Sequence, residues 1–351
     1  MDVDSGLNRR DFLKYAAATG VLVAAGEALS NGAMAEAAAG FTEVDQLTIW
    51  ILADNYFDSN EPDTKITKRY RSVAGKSIHA QHGLSYYIET VTAGKASACM
   101  FDFGLDSSDV MGNIELLGLD IGKTNAFSLS HGHYDHYTGA ISILKQNQSR
   151  IAAGTPFYVG EEAFARRYTM RPGATEPTDM GQLSKEDIEA LGVKVVEVKT
   201  SKEIIPGAYV TGNIERVTSY EKVPASFQIK RGEKIESDTF PGEQALFFNV
   251  KGKGLVVLSG CAHCGIVNTI KQAQKSAGTD RIHAVMGGFH MINAKPELIQ
   301  STVADIKAMK PDHIVGTHCT GFRAMVALSK EMPNEFIVNT AGTKYTFGAQ
   351  A

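Results

Sequence analysis

The sequence has few cysteines, no long apolar run and little net charge. Four cysteines in 351 residues are too few for the disulfide frameworks that stabilise small secreted domains. No apolar run reaches the roughly 18 residues that a membrane-spanning helix needs, so we expect no integral membrane segment in the mature chain. A net charge of −4 offers no general attraction to nucleic acid, and we expect no nucleic-acid partner. The remaining composition is that of an ordinary globular protein.

The first residues carry the features of a targeting signal. Residues 8–14, NRRDFLK, resemble the twin-arginine export consensus, and an alanine-rich run and the small-residue cleavage site Ala33-Met34-Ala35 follow. An amphipathic helix that stays attached would explain the alanines but not the paired arginines. We therefore predict a signal peptide at 1–35, the twin-arginine export machinery as a partner, and a periplasmic or exported location.

A histidine-rich stretch lies in the middle of the chain. Residues 128–139 have the sequence SLSHGHYDHYTG. The pattern before them is that of a strand, and in an extended segment His131 and His133 share a face. Asp135 and His136 follow where the chain turns into a helix, so they can face a second point nearby. Imidazoles beside a carboxylate suit Zn²⁺ or a similar divalent ion. The alternative is a polar loop whose histidines cap the helix.

Polar motifs recur where a predicted strand ends and a helix begins. The strands concerned are predicted at Ala98–Phe103, Leu255–Ser259, Arg281–Met286 and His313–Gly316. In α/β folds this edge gathers ligands, so His263 and His318 are further metal candidates. His290 fits an active-site contact and a structural role equally, and His82 is a candidate donor at the mouth of the site. The remaining histidines are interpreted as structural: His79, His283 and His313.

Together these motifs resemble the metallo-β-lactamase superfamily over most of residues 46–349. The stretch at 131–136 is the specific signature. Five shorter motifs, in the expected order, are similar to the branch of the dihydropterin–ribofuranosylaminobenzene phosphate synthases: QHGLS at 81–85, FDFG at 101–104, SGCAH at 259–263, GGFH at 287–290 and THCTG at 317–321. The resemblance implies an α/β fold, an αββα sandwich with inserted segments, whose strand-end loops surround one or two metal ions. We predict this domain at 46–349, after a linker at 36–45.

The resemblance also implies roles for individual residues. Asp135 and His136 are expected to be catalytic at a second metal position, where Asp135 also orients the nucleophile. Asp102, at the end of its strand, is expected to hold a metal-bound imidazole through its other nitrogen. Zinc is the expected metal, with manganese and iron as alternatives. The expected metal ligands are His131, His133, Asp135, His136, His263 and His318.

The sequence departs from the superfamily pattern at two places. Where many members have a loop histidine, this chain has PGEQ at 241–244, so His263 is the candidate to replace it. Where many members have a bridging aspartate, this chain has Cys261. A thiolate binds zinc, so Cys261 is the candidate bridge, and without a bridge only one ion is tightly held. The CAHC motif at 261–264 lacks the second pair that a structural zinc site needs, and it leaves a disulfide open in an oxidising compartment.

These residues favour a metal-dependent hydrolase that uses metal-activated water on an ester, amide or phosphodiester-type bond of a small molecule. No Gly-x-Ser-x-Gly nucleophile elbow competes with the metal. Two alternatives stay open. One is a transferase that displaces pyrophosphate from a pterin diphosphate, against which export argues. The other is a non-catalytic periplasmic protein that binds a metal or a ligand.

Elsewhere the pattern predicts ordinary α/β elements. We expect a short helix at Glu161–Arg167, a capping box formed by Ser184 and Asp187, and a strand at Glu335–Val338. Met170 to Gln182 is predicted to be a surface excursion. Residues 199–242 are polar and contain only short strand-like segments.

Overall fold

A computed structural model describes residues 41–171 and 173–349, so the predicted signal peptide lies outside the described residues. The strands, in chain order, are β1 (Glu43–Val44), β2 (Gln46–Ala53), β3 (Thr67–Lys68), β4 (Ser85–Thr92), β5 (Lys95–Phe103), β6 (Ala126–Ser128), β7 (Pro156–Val159), β8 (Arg167–Thr169), β9 (Thr178–Asp179), β10 (Lys194–Glu197), β11 (Lys202–Ile205), β12 (Ala208–Val210), β13 (Phe227–Arg231), β14 (Lys234–Ser237), β15 (Leu246–Val250), β16 (Gly254–Ser259), β17 (Ile282–Gly288), β18 (His313–Thr317) and β19 (Lys344–Gly348). The helices are α1 (Ser107–Leu116), α2 (Tyr134–Tyr137), α3 (Ala140–Asn147), α4 (Lys185–Ala190), α5 (Ile266–Ala277), α6 (Pro296–Ala308) and α7 (Phe322–Glu331).

Two large sheets enclose the main core. One has the order β11-β12-β15-β16-β17-β18, with β1 beside β15, and the other has the order β10-β7-β6-β5-β4-β2-β19-β3. Within β2, Ile49 and Ile51 face the core between the sheets, whereas Leu52 faces a second core with α1, α3 and α4. The side-chain period of two therefore makes this strand apolar on both faces. Helix α5 packs against β16 on the other side. This arrangement confirms the predicted α/β fold, an αββα sandwich.

The parallel strands determine where the polar motifs meet. Strand β5 pairs in parallel with β6, and β16 and β18 both pair in parallel with β17. Because the carboxyl ends of parallel strands lie at one edge of a sheet, the loops that follow these strands come together. That edge carries the candidate site.

A third, smaller sheet is built from the inserted segments. Its order is β14-β13-β8-β9. The predicted surface excursion therefore contributes β9 to an ordered sheet. The buried side chain of Arg167, on β8, donates from Nε to Oδ2 of Asp238 at 2.7 Å, which ties the two inserted segments together.

Two predicted elements are wrong, and one local prediction is confirmed. Glu161–Arg167 is not a helix, because Glu162 has a φ of 60° that interrupts helical hydrogen bonding. Glu335–Val338 makes only an isolated bridge, and the Val338 carbonyl accepts from Arg69 instead of from a neighbouring strand. Ser184 caps α4 as predicted, its hydroxyl accepting from the amide of Asp187.

The first strand of the sandwich, β1, lies inside the segment predicted as a linker and pairs in parallel with β15. Among the described residues, none of the helices is both long and apolar enough to cross a membrane.

Candidate active site

Three histidines from two strand-end loops form a tight cluster. His131 and His133 follow β6, and His263 follows β16. Their donor nitrogens lie within 4.8 Å of one another, and Nε2 of His131 lies 3.2 Å from Nε2 of His263. All three residues are buried. The lone pairs of two ring nitrogens this close repel each other unless a proton or a cation lies between them. This first group could therefore hold a divalent ion.

Asp135, His136 and His318 form a second group beside the first. Their donor atoms also lie within 4.8 Å of one another. Oδ2 of Asp135 is 3.1 Å from Nε2 of His318 and 3.8 Å from Nε2 of His136. Two imidazoles and a carboxylate could hold a second divalent ion. The structure thus brings together all six residues that the sequence offered as metal ligands.

Asp102 lies behind both groups at the end of β5. Its carboxylate accepts hydrogen bonds from the amide and the hydroxyl of Ser130, at 2.7 and 2.8 Å, and lies 2.6 Å from Nδ1 of His136. The Ser130 hydroxyl also lies 2.9 Å from Nδ1 of His131. One buried carboxylate therefore orients one histidine directly and a second through a serine, which leaves the Nε2 atoms of both rings free for a ligand.

Glu243 occupies the place of the loop histidine that the sequence lacks. Its carboxylate is buried and accepts from the backbone amides of His263 and Cys264, at 2.7 and 2.6 Å. Burial raises the pKa of Glu243, while the two amide hydrogen bonds oppose that shift. The loop that carries Glu243 therefore supplies no histidine donor. It fixes the backbone of His263, whose ring belongs to the first group.

Cys261 lies between the two groups. Its Sγ is 3.1 Å from Nε2 of His136. It lies within 4.8 Å of donor atoms on six residues: His131, His136, His263, His290, His318 and Cys319. Every described cysteine is a free thiol, so the disulfide left open for the CAHC motif is not formed. The Cys264 thiol instead faces the Phe240 carbonyl at 3.4 Å.

The protonation equilibria of the two groups differ. Burial lowers the pKa values of His131, His133 and His263 well below the ordinary range of histidine. For His131 and His263, the imidazoles of neighbouring histidines lower the pKa further. These rings are neutral at neutral pH, which is the state that binds metals. Burial would also lower the pKa of His318, but Asp135 beside it raises that pKa to about 9. In turn, His136 and His318 hold the pKa of Asp135 below its ordinary value against the effect of burial.

The backbone around the site is strained. Asp102, Ala262, His290 and His318 have φ values of 57°, 54°, 44° and 47°, in the left-handed region that disfavours side chains. Asp102 lies at the end of β5, and the other three lie in the loops that follow β16, β17 and β18. Left-handed non-glycine residues that cluster in this way are typical of functional sites, where the surrounding structure maintains the strain.

Aromatic rings close one side of the first group. Phe240 stacks on His263 with ring centroids 4.1 Å apart, and Phe227, at the start of β13, lies 5.0 Å from His133. The inserted segments therefore supply an apolar wall that limits the access of water to the histidines.

A cavity of about 630 Å³ opens over the second group and is lined by residues that include Asp135, His318 and Cys261. His82 stands at this cavity, with Nε2 3.6 Å from Oδ2 of Asp135. His290 also lines it, and its ring centroid lies 4.2 Å from that of His263. The two candidates for outer contacts thus lie where a substrate would approach.

The histidines interpreted as structural lie elsewhere. Nδ1 of His79 pairs with Asp109 at 3.1 Å, and Nδ1 of His283 pairs with Asp312 at 2.7 Å, beside the ring of His313. The described residues give none of these three a place in a group of metal donors.

Sequence reasoning missed two polar residues of the site. In the sequence, Glu243 only stands where other superfamily members have a histidine, because nothing in a sequence shows that a carboxylate is buried against two amides. Cys319 follows His318 directly, and its Sγ lies 3.2 Å from Sγ of Cys261. A cysteine beside each of two strand-end histidines was the available signal.

Comparisons with known proteins agree with the fold and with the predicted targeting signal. Residues 6–26 match the TAT (twin-arginine translocation) pathway signal sequence family, which points to export by that pathway. A solved structure of a metal-dependent hydrolase of the β-lactamase superfamily has a TM-score of 0.66 and 22% identity, covering 87% of this chain and 100% of its own. An uncharacterised protein of Methanocaldococcus jannaschii is 28% identical over 77% of this chain and 95% of its own length.

A further relative identifies the branch. Over 298 residues, the chain is 30% identical to the 7,8-dihydropterin-6-methyl-4-(β-D-ribofuranosyl)-aminobenzene-5′-phosphate synthase of Methanocaldococcus jannaschii, covering 84% of this chain and 94% of the synthase. The fold, the strand-end site and this similarity lead to one conclusion: the chain has the fold of the metallo-β-lactamase superfamily and belongs to the family of that synthase.

Proposed function

We propose that this protein is an exported metal-dependent hydrolase that cleaves an ester, amide or phosphodiester-type bond of a small molecule. The observation that carries the proposal is the pair of adjacent donor groups, three histidines beside an Asp-His-His group, from which His133, Asp135 and His318 line one open cavity. Two adjacent groups of this composition are suited to two divalent ions, zinc first, with manganese or iron as alternatives.

In this proposal each group has a separate task. His131, His133 and His263 hold the first ion, and Asp135, His136 and His318 hold the second. Bound there, a divalent ion polarises the substrate and lowers the pKa of water from 15.7 to roughly 7. The sulfur of Cys261 lies within reach of donor atoms of both groups and would be the ligand shared by the two ions.

The protein's own groups then position the reaction. His136 and His318 hold the pKa of Asp135 below its ordinary value against the effect of burial, so its carboxylate would accept a hydrogen bond from the attacking water and orient it. His136, held by Asp102, keeps Nε2 directed at the centre. His82 and His290 line the cavity and donate to the polar atoms of the substrate.

The twin-arginine signal supports a periplasmic location. That pathway exports folded proteins, so the ions can be bound in the cytoplasm before export. The donor residues are buried, which favours retention of the ions after transport.

A second function is favoured by one finding, the similarity to the pterin-linked synthase. In that case the same ions would hold a diphosphate leaving group while an arylamine displaces it. Both functions need the same donors, so mutagenesis of the ligands does not separate them.

A substrate comparison separates the two functions. The exported protein, with its metal content measured by mass spectrometry, is tested on ester, lactone, lactam and phosphodiester substrates and on a pterin diphosphate with an arylamine. Hydrolysis that is lost after chelation and restored by zinc supports the hydrolase. Arylamine-dependent release of pyrophosphate, without hydrolysis of the other substrates, would replace it by the transferase. Full metal occupancy with no turnover in either assay would leave a binding protein.

A further inference from the structure

We propose that Cys319 is an additional metal ligand, which together with Cys261 presents a pair of thiolates to the ion at the second position. This inference rests on the proposed metal centre. It adds a donor that the superfamily pattern does not supply, and it specifies a class of metal.

The two thiols form a buried pair. Cys261 follows β16 and Cys319 follows β18, on either side of β17, and their sulfur atoms lie 3.2 Å apart. Only 3% of Cys261 and 5% of Cys319 is exposed. Both remain free thiols, so the short distance is not that of a disulfide.

The pair lies among metal donors. Sγ of Cys261, Sγ of Cys319 and a ring nitrogen of His318 all lie within 4.8 Å of one another. Cys261 is also 3.1 Å from Nε2 of His136. Cys319 thus lies within reach of one member of the second group, His318, and of Cys261, which also contacts that group through His136.

The fold makes room for the second sulfur. At Gly288, at the end of β17, a Cβ atom would lie 2.7 Å from Sγ of Cys319 and 2.4 Å from the Gly260 carbonyl oxygen, so a larger residue would displace the sulfur. Thr320, the residue after Cys319, is fixed to the end of β17, because its hydroxyl accepts from the amide of Phe289 and lies 3.2 Å from the Gly287 carbonyl.

The turn that carries Cys319 is also held from the opposite side. The buried carboxylate of Asp54 accepts from the amide of His318 at 2.8 Å and from the side chain of Asn339 at 2.6 Å. With His318 in the left-handed conformation, this turn directs two successive side chains towards the centre. An apolar packing role would not require such anchoring.

Two thiolates change the chemistry of the second position. Soft sulfur ligands favour zinc and other thiophilic ions over magnesium or manganese, which prefer oxygen donors. A bound ion would also protect the two sulfurs from oxidation, which matters for a protein exported to an oxidising compartment.

Cobalt substitution tests the proposal. The full-length protein is stripped of metal and loaded with Co²⁺, and the near-ultraviolet band from sulfur-to-cobalt charge transfer is recorded. In Cys319→Ser we expect a marked loss of this band and a Kd for the second ion raised on the order of tenfold or more. The matched control is Cys264→Ser, which alters a thiol that is equally buried in the same loop as Cys261 but outside every donor group; we expect its spectrum to be unchanged.

A measurement on the wild-type protein guards against misfolding of the variant. In proton-detected ¹¹³Cd correlation spectra, a cadmium ion bound to a cysteine correlates with the Cβ protons of that cysteine. We expect correlations to both Cys261 and Cys319. A cadmium-loaded protein that lacks the Cys319 correlation overturns the inference. The proposed hydrolase fails differently, through absence of turnover while the thiolate signals persist.

Discussion

The carboxylate of Asp102 lies 2.6 Å from Nδ1 of His136, and this contact determines which nitrogen of the ring faces the centre. When Nδ1 carries the proton of the neutral ring, the lone pair of Nε2 faces Cys261 and Asp135 and is available to a metal. The same carboxylate holds the Ser130 amide, so the tautomer of His136 and the course of the loop before His131 depend on one residue.

Replacing Asp102 with asparagine should reverse this tautomer. The amide would donate to Nδ1 of His136, and the proton would then occupy Nε2, where it blocks a metal. We expect affinity for the second ion to fall on the order of 10–100-fold, measured by titration of the metal-free protein. The matched control is Asp109→Asn, which alters an aspartate–histidine pair at the surface, with His79. Equal affinity in Asp102→Asn and wild type would contradict the assignment.

Glu243→Ala should affect both stability and metal binding. It leaves the amides of His263 and Cys264 buried without an acceptor, which costs about 1–3 kcal/mol for each group left unpaired. His263 then loses its fixed position, and we expect the first ion to bind on the order of 10–100-fold more weakly. Denaturant unfolding and metal titration measure the two effects. The control is Glu233→Gln, in the exposed turn between β13 and β14. If Glu243→Ala matched this control in stability and metal affinity, Glu243 would not position His263.

His131→Ala and His133→Ala should each empty the first position. Each variant removes one of three donors from a buried group, so the affinity for the metal should fall further than in a variant of His82 or His290. Activity should fall to background. Circular dichroism should remain that of the wild type, because both side chains lie in a loop after β6. His79→Ala, away from the site, should keep its metal. Full metal content in both site variants would remove them from the metal centre.

The metal-free protein should become less stable as the solution is acidified. The pKa of His131, His133 and His263 is lower in the folded state than in the unfolded chain, so below about pH 6.5 the unfolded state binds more protons. Each such histidine lowers the free energy of unfolding by up to about 1.4 kcal/mol per pH unit in that range and has no effect above it. His318, with its pKa raised to about 9, stabilises the fold as pH falls from 9 to about 6.5, and its contribution is then constant.

Denaturant unfolding in a chelator at pH 7 and pH 5.5 measures this dependence. We expect His263→Gln, which cannot take up a proton, to lose less stability between the two values than the wild type. An identical pH dependence of the free energy of unfolding in the two proteins would contradict the burial of a neutral His263.

The sequence by itself determined the local features of this protein. The alternation of strand and helix patterns, the close spacing of His131, His133, Asp135 and His136, and the capping of α4 depend on neighbours within a few residues, so they are visible in the chain. The superfamily signature at 131–136 then implied the sandwich. Local patterns misled at Glu161–Arg167 and Glu335–Val338, where tertiary contacts prevailed.

Only the tertiary structure decided which distant residues share the site. His263 and His318 are far from the histidine stretch in sequence, and parallel pairing of β16, β17 and β18 brings their loops to the same edge. Glu243 gains its significance from burial beside two donating backbone amides, and Cys319 from burial 3.2 Å from the sulfur of Cys261. Spacing along the chain encodes neither contact. Chemistry at a sheet edge depends on convergence in space, and folding alone produces it.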